Sequence, residues 1–329
     1  MVAGNTTHWQ QVEVTGVGDI ADRIRRIELH CELPTRVRAG EHLDVRIPTA
    51  DGLLERSYSI VDASADGTTV ALSVLHTRDS RGGSAAMHAL KPGDCFEAST
   101  PIQDFPLRVG APQYVLLAGG IGITAISSIA DALRRVDAEY RIVYVGRSRE
   151  AMAYLDRLRE VHGDRLVVHA DDVDGRFNVG ELVASIERGT ELYMCGPIRL
   201  MDAVRRAWLD SPLDPTDLRY ETFGNSGWFD PEPFDVEIPS LGFRGTVESD
   251  ESMLESLERQ GVDLMFDCRK GECGLCEVKV TKLRGQLDHR DVFLSTRQHA
   301  AADRMNCCVS RAVRATGDDE RALITINAN

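Results

Sequence analysis

Short segments of alternating hydrophobic and polar residues, separated by Gly, Pro and Asp, run from about residue 8 to residue 108. Leu43, Val45 and Ile47 illustrate the pattern, since polar residues stand between them and Pro48 follows. Alternation at period two is typical of strands with one buried face, and regularly spaced strands with turn signals favour a small antiparallel barrel. We therefore predict a β-barrel over residues 1–108.

The pattern changes near Pro112, where continuous apolar runs begin to alternate with amphipathic segments. The run Tyr114–Ala118 is typical of a strand buried on both faces, and the segment from Ala125 to Arg135 has the character of a helix. Similar pairs continue to Leu209, and alternating β and α units indicate a parallel sheet. We predict an α/β domain over residues 109–224.

A linker rich in Gly and Pro is predicted at residues 225–234, and a third domain at residues 235–329. The third domain has two predicted hairpins and one helix from Asp250 to Gln260, with Ser249 or Asp250 as its N-cap. Two hairpins around one helix make a β-grasp. The predicted fold class is a multidomain α+β and α/β protein.

Composition narrows the possible partners and locations. The chain has 329 residues, 43% of them hydrophobic and 27% charged, which is typical of globular domains. Its net charge of −14 argues against nucleic acid as a partner, because phosphate binding is driven by Lys and Arg. We expect no membrane span, since no apolar run approaches 18 residues, and no signal peptide, since the N-terminus has no basic region followed by an apolar stretch. Five of the eight cysteines fall near the C-terminal end, so we predict a reduced, cytoplasmic location.

Three of those cysteines, Cys268, Cys273 and Cys276, have the spacing C-x4-C-x2-C of a plant-type [2Fe–2S] site. Glycines at positions 271 and 274 would let the loop bend tightly around a cluster. A zinc ribbon would need two C-x2-C pairs, and a disulfide framework would suit a secreted domain. The fourth ligand is Cys307 or Cys308, and only one can serve because neighbours in an extended segment point to opposite sides.

The barrel segment contains two candidate anion-binding stretches. In the first, Arg56 could hold a phosphate, Tyr58 offers a flat ring, and serines stand at 57 and 59. In the second, Arg81 precedes a glycine turn at 82–83 that leads into a helix, and a helix N-terminus attracts anions. Together the two stretches resemble the flavin site of the ferredoxin reductase superfamily.

The α/β segment contains a candidate nucleotide site. Gly120, Gly122 and Ala125 match G-x-G-x-x-A between a predicted strand and a helix. An acidic residue for the ribose is expected about 20 residues later, but Arg147 and Arg149 occupy that region. The arginines indicate a 2′-phosphate and hence NADPH, or else they are solvated charges or pyrophosphate contacts.

Across essentially its whole length the chain resembles the phthalate dioxygenase reductase family, which includes vanillate O-demethylase reductases. The motifs that carry the resemblance are Arg56–Ser59, Arg81–Ser84, Gly119–Thr124, Tyr193–Pro197, Glu221–Phe223, the cysteine loop and Cys308–Arg311. The resemblance implies an FMN-binding barrel, an NAD(P)-binding domain and a plant-type [2Fe–2S] ferredoxin domain, in that order. It favours NADH over NADPH, and the motif Cys-x-Ser-Arg implies Cys308 as the fourth cluster ligand.

The resemblance also implies site residues. The implied catalytic residues are Cys195, Thr124 and Phe223, with Phe223 over the flavin ring. Besides these three, the implied cofactor-binding residues are Arg56, Ser57, Tyr58, Ser59, Ser73, Val74, Leu75, Arg81, Gly82, Gly83, Ser84, Gly119, Gly120, Ile121, Gly122, Gly146, Arg147, Ser148, Gly196 and Pro197. The implied metal ligands are Cys268, Cys273, Cys276 and Cys308. A buried structural role is the alternative for Cys195, since free cysteine is commonly buried.

The predicted function is that of an oxygenase reductase, which takes a hydride from NADH to FMN and passes single electrons through the cluster to a partner. The expected partner is a Rieske-type terminal oxygenase acting on an aromatic substrate, and the alternative is a cytochrome P450. A pure electron carrier and a free flavin reductase are the rival classes. We expect a monomer, because electron-transfer contacts tend to be small and transient.

Two further interpretations concern charged and titratable residues. The histidines show no ligand spacing, and we interpret them as structural or surface residues. Six acids against one base between Glu248 and Asp263 form either a docking face near the cluster or a solvated helix face. If they form a docking face, charge reversal at Glu255 and Glu258 should slow transfer to the partner at low salt.

Overall fold

A computed structural model describes residues 8–49, 52–77, 82–223, 227–317 and 319–327. The chain divides into two compact units. The first consists of Met1–Gly196 with Ala207–Glu221, and the second of Pro197–Arg206 with Thr222–Asn329. Among the described residues, no helix is long and apolar enough to cross a membrane.

An antiparallel barrel occupies the N-terminal part of the first unit. Its strands and its one helix are β1 (Trp9–Ala21), β2 (Ile24–Cys31), β3 (Glu41–Thr49), β4 (Gly52–Ala63), β5 (Thr69–Leu75), α1 (Gly83–Ala89), β6 (Cys95–Ser99) and the short β7 (Ile102–Gln103). The order β4-β5-β2-β1-β6-β3 closes because β4 also pairs with β3. Alternate residues such as Val12 and Val14 fill the interior, as the period-two pattern predicts.

The rest of the first unit is built on a parallel five-stranded sheet with the order β10-β9-β8-β11-β12. Its strands are β8 (Gln113–Gly119), β9 (Tyr140–Gly146), β10 (Leu166–Ala170), β11 (Thr190–Cys195) and β12 (Leu218–Glu221). Its helices are α2 (Ile123–Arg135), α3 (Leu155–His162), α4 (Asp171–Asp174) and α5 (Val179–Ala184), and α6 (Ile198–Leu209) follows β11 in the chain. Residues 198–206 of α6 belong to the second unit. The central strand β8 is buried on both faces, which accounts for its continuous apolar run.

The second unit carries a five-stranded mixed sheet with the order β14-β13-β19-β15-β17 and a two-stranded ribbon of β16 and β18. The strands and helices are β13 (Phe234–Ile238), β14 (Phe243–Val247), α7 (Met253–Arg259), β15 (Glu277–Arg284), β16 (Gln286–Asp288), α8 (Thr296–Ala301), β17 (Arg304–Asn306), β18 (Arg311–Val313) and β19 (Leu323–Asn327). Met253, Leu254 and Leu257 of α7 are fully buried in the same core as the sheet. This is the predicted β-grasp, and the predicted fold class is confirmed.

The predicted N-cap of α7 is wrong. The helix is capped by Ser252, whose hydroxyl accepts from the Glu255 amide while the Glu255 carboxylate accepts from the Ser252 amide. This reciprocal capping box satisfies two backbone donors, so it outcompetes Ser249 and Asp250, which offer one side chain each. The helix therefore begins three residues later than predicted.

Candidate cofactor sites

The loop from Cys268 to Cys276 is shaped to present sulfur atoms to a cluster. The backbone amides of Lys270 and Glu272 donate to Cys268 Sγ at 3.4 and 3.5 Å. Three residues of the loop have left-handed backbone conformations: Arg269 (φ 52°), Gly271 (φ 74°) and Gly274 (φ 76°). Repeated left-handed turns bring consecutive N–H groups to one side, which favours an electron-rich group there.

Two positions of this loop require glycine. A side chain there would have no room, and the backbone φ angle is positive at both. A Cβ atom on Gly271 would lie 2.6 Å from Val309 Cγ2 and 3.0 Å from Asp291 Cα. A Cβ atom on Gly274 would overlap the ring of Phe293. The loop is thus packed closely against the segments that follow it in the chain.

The cysteines around this loop are all free thiols. Cys276 Sγ and Cys308 Sγ lie 3.1 Å apart, so the structure brings Cys308 to the loop. Its neighbour Cys307 is fully buried in the core of the second unit, and its carbonyl oxygen accepts from the Leu254 amide. Free thiols with amide donors aimed at sulfur fit a [2Fe–2S] cluster.

The candidate flavin residues come together on the barrel. A Cβ atom on Gly83 would lie 2.9 Å from Arg56 Cγ, so the Arg56 side chain crosses the glycine turn. Ser59 Oγ is buried without a hydrogen-bond partner, which leaves a polar atom for a ligand to satisfy. Burial raises the pKa of Tyr58 to about 12, so its hydroxyl remains protonated at neutral pH. These features fit a bound flavin phosphate and ring.

Other candidate flavin residues have partners within the first unit. Ser57 is exposed and donates to Asp44 Oδ1 at 2.5 Å, and Ser73 Oγ lies 2.5 Å from the Tyr154 hydroxyl. The hydroxyl of Ser84 lies 3.1 Å from Thr77 Oγ1. Gly82 has φ 83°, consistent with a glycine turn before α1. Val74 and Leu75 lie in β5, Val74 buried and Leu75 partly exposed, and the candidate residue Arg81 lies outside the described residues.

The nucleotide motifs meet at the carboxyl ends of the neighbouring strands β8 and β11, where ligands bind in open parallel sheets. A Cβ atom on Gly122 would overlap the Cys195 carbonyl, and one on Gly196 would lie 3.0 Å from Gly119 Cα. The Thr124 hydroxyl donates to the Ile121 carbonyl at 2.9 Å. The side chains of Thr124 and Cys195 are buried, which is also what the structural alternative for Cys195 expects.

The remaining nucleotide candidates lie at the ends of neighbouring elements. Gly146 ends β9 and has no room for a Cβ atom beside Met152. Arg147 is exposed, and Ser148 immediately precedes a short 3₁₀ turn. The Pro197 carbonyl oxygen accepts from the Leu200 amide in the first turn of α6. Exposure of Arg147 leaves the choice between NADH and NADPH open.

A hydrogen-bonded contact that the sequence analysis missed joins Thr222 to the cluster loop. The Thr222 amide donates to Glu272 Oε1 at 2.5 Å. The Thr222 hydroxyl donates to the Lys270 carbonyl at 2.6 Å and lies 2.8 Å from the same Glu272 oxygen. Thr222 precedes Phe223, which is partly exposed. The sequence motif Glu221–Phe223 contains Thr222, but no sequence pattern near it indicates that its hydrogen-bond partner lies 50 residues later.

The acidic stretch near the cluster loop is less available for docking than its charge indicates. The Glu255 carboxylate caps α7, while Glu251 and Glu258 form ion pairs with arginines at 2.8 and 2.9 Å. Asp250 and Asp263 remain exposed. Charge reversal at Glu255 would therefore damage the helix, and it is not a clean test of docking.

Comparison with known proteins identifies the family. The model of the 2Fe-2S iron-sulfur cluster binding domain matches residues 240–313. The model of the dimethylamine monooxygenase subunit DmmA-like N-terminal domain matches residues 98–218. The toluene-4-sulfonate monooxygenase system reductase subunit TsaB1 of Comamonas testosteroni is 35% identical over 279 residues, which cover 83% of this chain and 86% of that protein.

Two solved structures extend the match to nearly the whole chain. The structure of phthalate dioxygenase reductase is 28% identical with a TM-score of 0.73, and the match covers 97% of this chain and 98% of that one. This chain belongs to the phthalate dioxygenase reductase family. An intact type IV self-sufficient cytochrome P450 monooxygenase is 36% identical with a TM-score of 0.65, but the reductase spans only 41% of that longer chain.

The family match confirms several predictions. The reductase is a subunit of a multicomponent oxygenase system and an oxidoreductase. The predicted cofactors, a flavin, a nicotinamide nucleotide and a [2Fe–2S] cluster, are confirmed as classes. The domain boundaries, the individual site residues and the type of terminal oxygenase stay predictions.

Proposed function

We propose that this reductase uses NADH to reduce bound FMN and delivers electrons singly, through a [2Fe–2S] cluster, to a Rieske-type terminal oxygenase acting on an aromatic substrate. The observation that carries the proposal is the cluster loop, where free cysteines, amide donors and left-handed turns converge within one short segment. When bound, the flavin would supply two-electron hydride chemistry and the cluster one-electron transfer, while the protein's residues hold and position both groups.

The proposed cluster ligands are Cys268, Cys273, Cys276 and Cys308. Cys308 is proposed on the family resemblance: its sulfur lies 3.1 Å from that of Cys276, but the Cys307 thiol also forms a hydrogen bond with Cys276. The amides of Lys270 and Glu272 would donate to a thiolate at position 268 and stabilise its negative charge. Hydrogen bonds to cluster sulfurs are one of the means by which a protein adjusts a reduction potential.

FMN is the proposed flavin because the family resemblance implies it, and the barrel offers a guanidinium beside a glycine turn that would hold its phosphate. Arg56, lying against Gly83, is placed to bind a terminal phosphate, since a guanidinium binds phosphate oxygens bidentately. The unpartnered Ser59 hydroxyl and the protonated Tyr58 hydroxyl would bind polar atoms of the ring and side chain. The proposed domains are the FMN barrel at 1–108, the nucleotide domain at 109–224 and the ferredoxin domain at 235–329.

Cys195, Thr124 and Phe223 are proposed to surround the reacting nicotinamide. Cys195 ends β11 and Thr124 lies in the first turn of α2, at the carboxyl ends of the strands, and Phe223 follows β12 in the chain. The buried hydroxyl of Thr124 already binds Ile121, so its proposed role is to fix the shape of that loop. Closely packed apolar groups there would exclude water from the reacting atoms.

A cytochrome P450 partner is the second candidate. It is supported by the 36% identity to the reductase part of a self-sufficient cytochrome P450 monooxygenase. The present protein would deliver single electrons from flavin to cluster to acceptor, as the reductase region of such a chain would. The two candidates differ in the acceptor and not in the cofactors that the reductase needs.

The test is anaerobic purification, chromatography of the extracted flavin, and titration with NADH and NADPH followed by visible and EPR spectra. We expect FMN, preference for NADH, and a rhombic signal of a reduced plant-type cluster. A cluster that stays oxidised while the flavin is reduced would refute the proposed electron path. Turnover with a purified Rieske oxygenase, compared with turnover with a P450, then identifies the acceptor class.

A further inference from the structure

Within the first unit, one tyrosine beside the parallel sheet contacts two strands of the barrel. Tyr154 directly precedes α3, and its hydroxyl oxygen lies 2.5 Å from Ser73 Oγ in β5. Arg26 Nη1, in β2, donates to the same hydroxyl at 3.4 Å. Arg26 and Ser73 are cross-strand partners in the barrel sheet, so a single hydroxyl contacts both members of one pair.

The backbone at Tyr154 has an unusual conformation. Its φ of 65° and ψ of 12° are left-handed, which is uncommon for residues other than glycine and unfavourable for a bulky side chain. Such a conformation persists only where the surrounding structure holds it, and it occurs most often at functional sites. The two preceding residues, Met152 and Ala153, are buried, and the hydroxyl at the far end of the ring contacts Ser73. Tyr154 is therefore fixed at both ends.

The segment of residues 149–154 contacts the parallel sheet as well as the barrel. Gly146, at the carboxyl end of β9, has no room for a Cβ atom because Met152 packs against it. The Glu150 carbonyl accepts from the Asp22 amide, in the turn after β1, at 2.7 Å. Because nucleotides bind at the carboxyl ends of parallel strands, this segment connects the nucleotide side of the unit to the barrel.

Hydrogen bonds hold this segment to the barrel more than apolar packing does. An open cavity of about 470 Å³ lies beside the contacts, and its lining includes Ile20 of β1, Arg149 and Glu150. Arg149 and Glu150 are both exposed. Since the packing there is incomplete, the contacts of the Tyr154 hydroxyl have a large share in fixing the position of the segment on the barrel.

The structure gives Ser73 a different role from the flavin contact that the family resemblance implies. Ser73 is 4% exposed, and its hydroxyl lies at hydrogen-bond distance from Tyr154. The next two residues of β5, Val74 and Leu75, are candidate flavin residues. Ser73 is thus placed to hold the strand that would border the flavin, and not to bind the flavin through its hydroxyl.

We propose that Tyr154 is a positioning residue for hydride transfer, whose hydroxyl, held by Ser73 and Arg26, sets the nucleotide-binding strand ends against the flavin-binding barrel. The inference rests on the proposed function, in which hydride passes from the nicotinamide to the flavin. Reacting atoms must lie about 3–3.5 Å apart, and a misplacement of about 1 Å can slow a reaction about 100-fold. Loss of one hydroxyl loosens the contact without abolishing it, so we expect a smaller effect of about 3- to 10-fold.

The test is anaerobic stopped-flow reduction of the flavin in the full-length protein by NADH, or by NADPH if NADPH reduces it faster. The limiting rate at saturating nucleotide measures hydride transfer, and the half-saturating concentration measures nucleotide binding. Tyr154→Phe removes the hydroxyl alone, and Ser73→Ala removes its partner. The matched control is Tyr140→Phe, which removes a tyrosine hydroxyl 2.7 Å from His162 Nδ1, where both residues lie in the α/β part of the unit.

We expect Tyr154→Phe to lower the limiting rate about 3- to 10-fold, while its half-saturating concentration stays within twofold and its flavin content is unchanged. Tyr140→Phe should keep the limiting rate within twofold. The double variant of Tyr154→Phe with Ser73→Ala should be within twofold of Tyr154→Phe, because both changes break the same contact.

Three results would overturn the inference alone: a limiting rate in Tyr154→Phe within twofold of the unaltered protein, equal slowing in Tyr140→Phe, or loss of flavin from Ser73→Ala. Equal slowing would attribute the effect to stability, and loss of flavin would show that Ser73 binds the cofactor. Failure of both nucleotides to bleach the flavin of the unaltered protein would refute the proposed function itself, and the inference with it.

Discussion

The contact between Thr222 and the cluster loop leads to a specific prediction for Glu272→Ala. The substitution removes the oxygen that accepts from the Thr222 amide at 2.5 Å and lies 2.8 Å from the Thr222 hydroxyl. Thr222 is 3% exposed, so water cannot readily replace the lost acceptor. The hydroxyl keeps its bond to the Lys270 carbonyl, so the contact is weakened and not abolished.

The free energy that Glu272→Ala is expected to cost follows from the charge of the carboxylate acceptor. A hydrogen bond to a charged group contributes about 1.5–3 kcal/mol, and a buried amide left without a partner costs about 1–3 kcal/mol. A loss of about 1.5–3 kcal/mol shifts the equilibrium between the held and released Thr222 segment by about 10- to 150-fold. Because Phe223 is the next residue and is proposed to lie at the flavin, we expect electron transfer from flavin to cluster to slow by more than twofold and by no more than this factor.

Stopped-flow spectroscopy separates the two steps that matter. Flavin bleaching after mixing with NADH should keep its rate in Glu272→Ala, while the later absorbance change of the cluster should slow. Glu272→Gln, which keeps an amide oxygen but loses the charge, should give an intermediate rate. The matched control is Glu277→Ala, which removes the same charge next to the loop, where Glu277 pairs with Arg304 at 3.3 Å.

Two results would refute this reasoning. One is a cluster reduction rate in Glu272→Ala within twofold of the unaltered protein at full iron content. The other is equal slowing in Glu277→Ala, because the effect would then come from the charge near the cluster and not from the contact with Thr222.

Three further predictions concern the ferredoxin domain. Cys308→Ser should lose the cluster and its EPR signal, whereas Cys307→Ser should keep both; the opposite result would exchange the ligand assignment. Gly271→Ala should reduce iron content and lower the free energy of unfolding by about 1–3 kcal/mol, because alanine is strained at φ 74° and its Cβ meets packed atoms. Asp250→Lys with Asp263→Lys should slow transfer to the partner at low salt while flavin reduction by NADH stays unchanged. Equal transfer rates at low salt would remove the docking hypothesis.

Local patterns were sufficient to predict the parts of the fold that depend on neighbouring residues. Period-two alternation predicted the barrel strands, and a continuous apolar run predicted the buried strand β8. The cysteine loop was equally predictable, because its cysteine spacing and its glycines both allow a short loop to present three sulfurs to one cluster. The α7 N-cap was missed because several capping residues compete within four positions, and only the reciprocal bonds of Ser252 and Glu255 decide between them.

Contacts between distant residues explain what the sequence could not predict. His289 and His299 are ten residues apart with no ligand spacing, and they meet only because α8 returns toward the end of β16. The charge of Glu255 and Glu258 indicated a docking face, but the structure uses the first as a cap and pairs the second with Arg269. Charge counts along a sequence do not show which charges are already paired.

The cluster loop is held by three segments that are far apart in the chain. Thr222 binds the loop at Lys270 and Glu272, the Asp291 segment packs behind Gly271, and Cys308 brings its sulfur to Cys276. A site is precise when the groups around it are themselves fixed by packing and hydrogen bonds. Thr222 belongs to the compact unit that contains the loop, although it directly follows the last strand of the parallel sheet. Thr222, the residue before Phe223, is therefore fixed to the cluster loop by the shortest of these contacts.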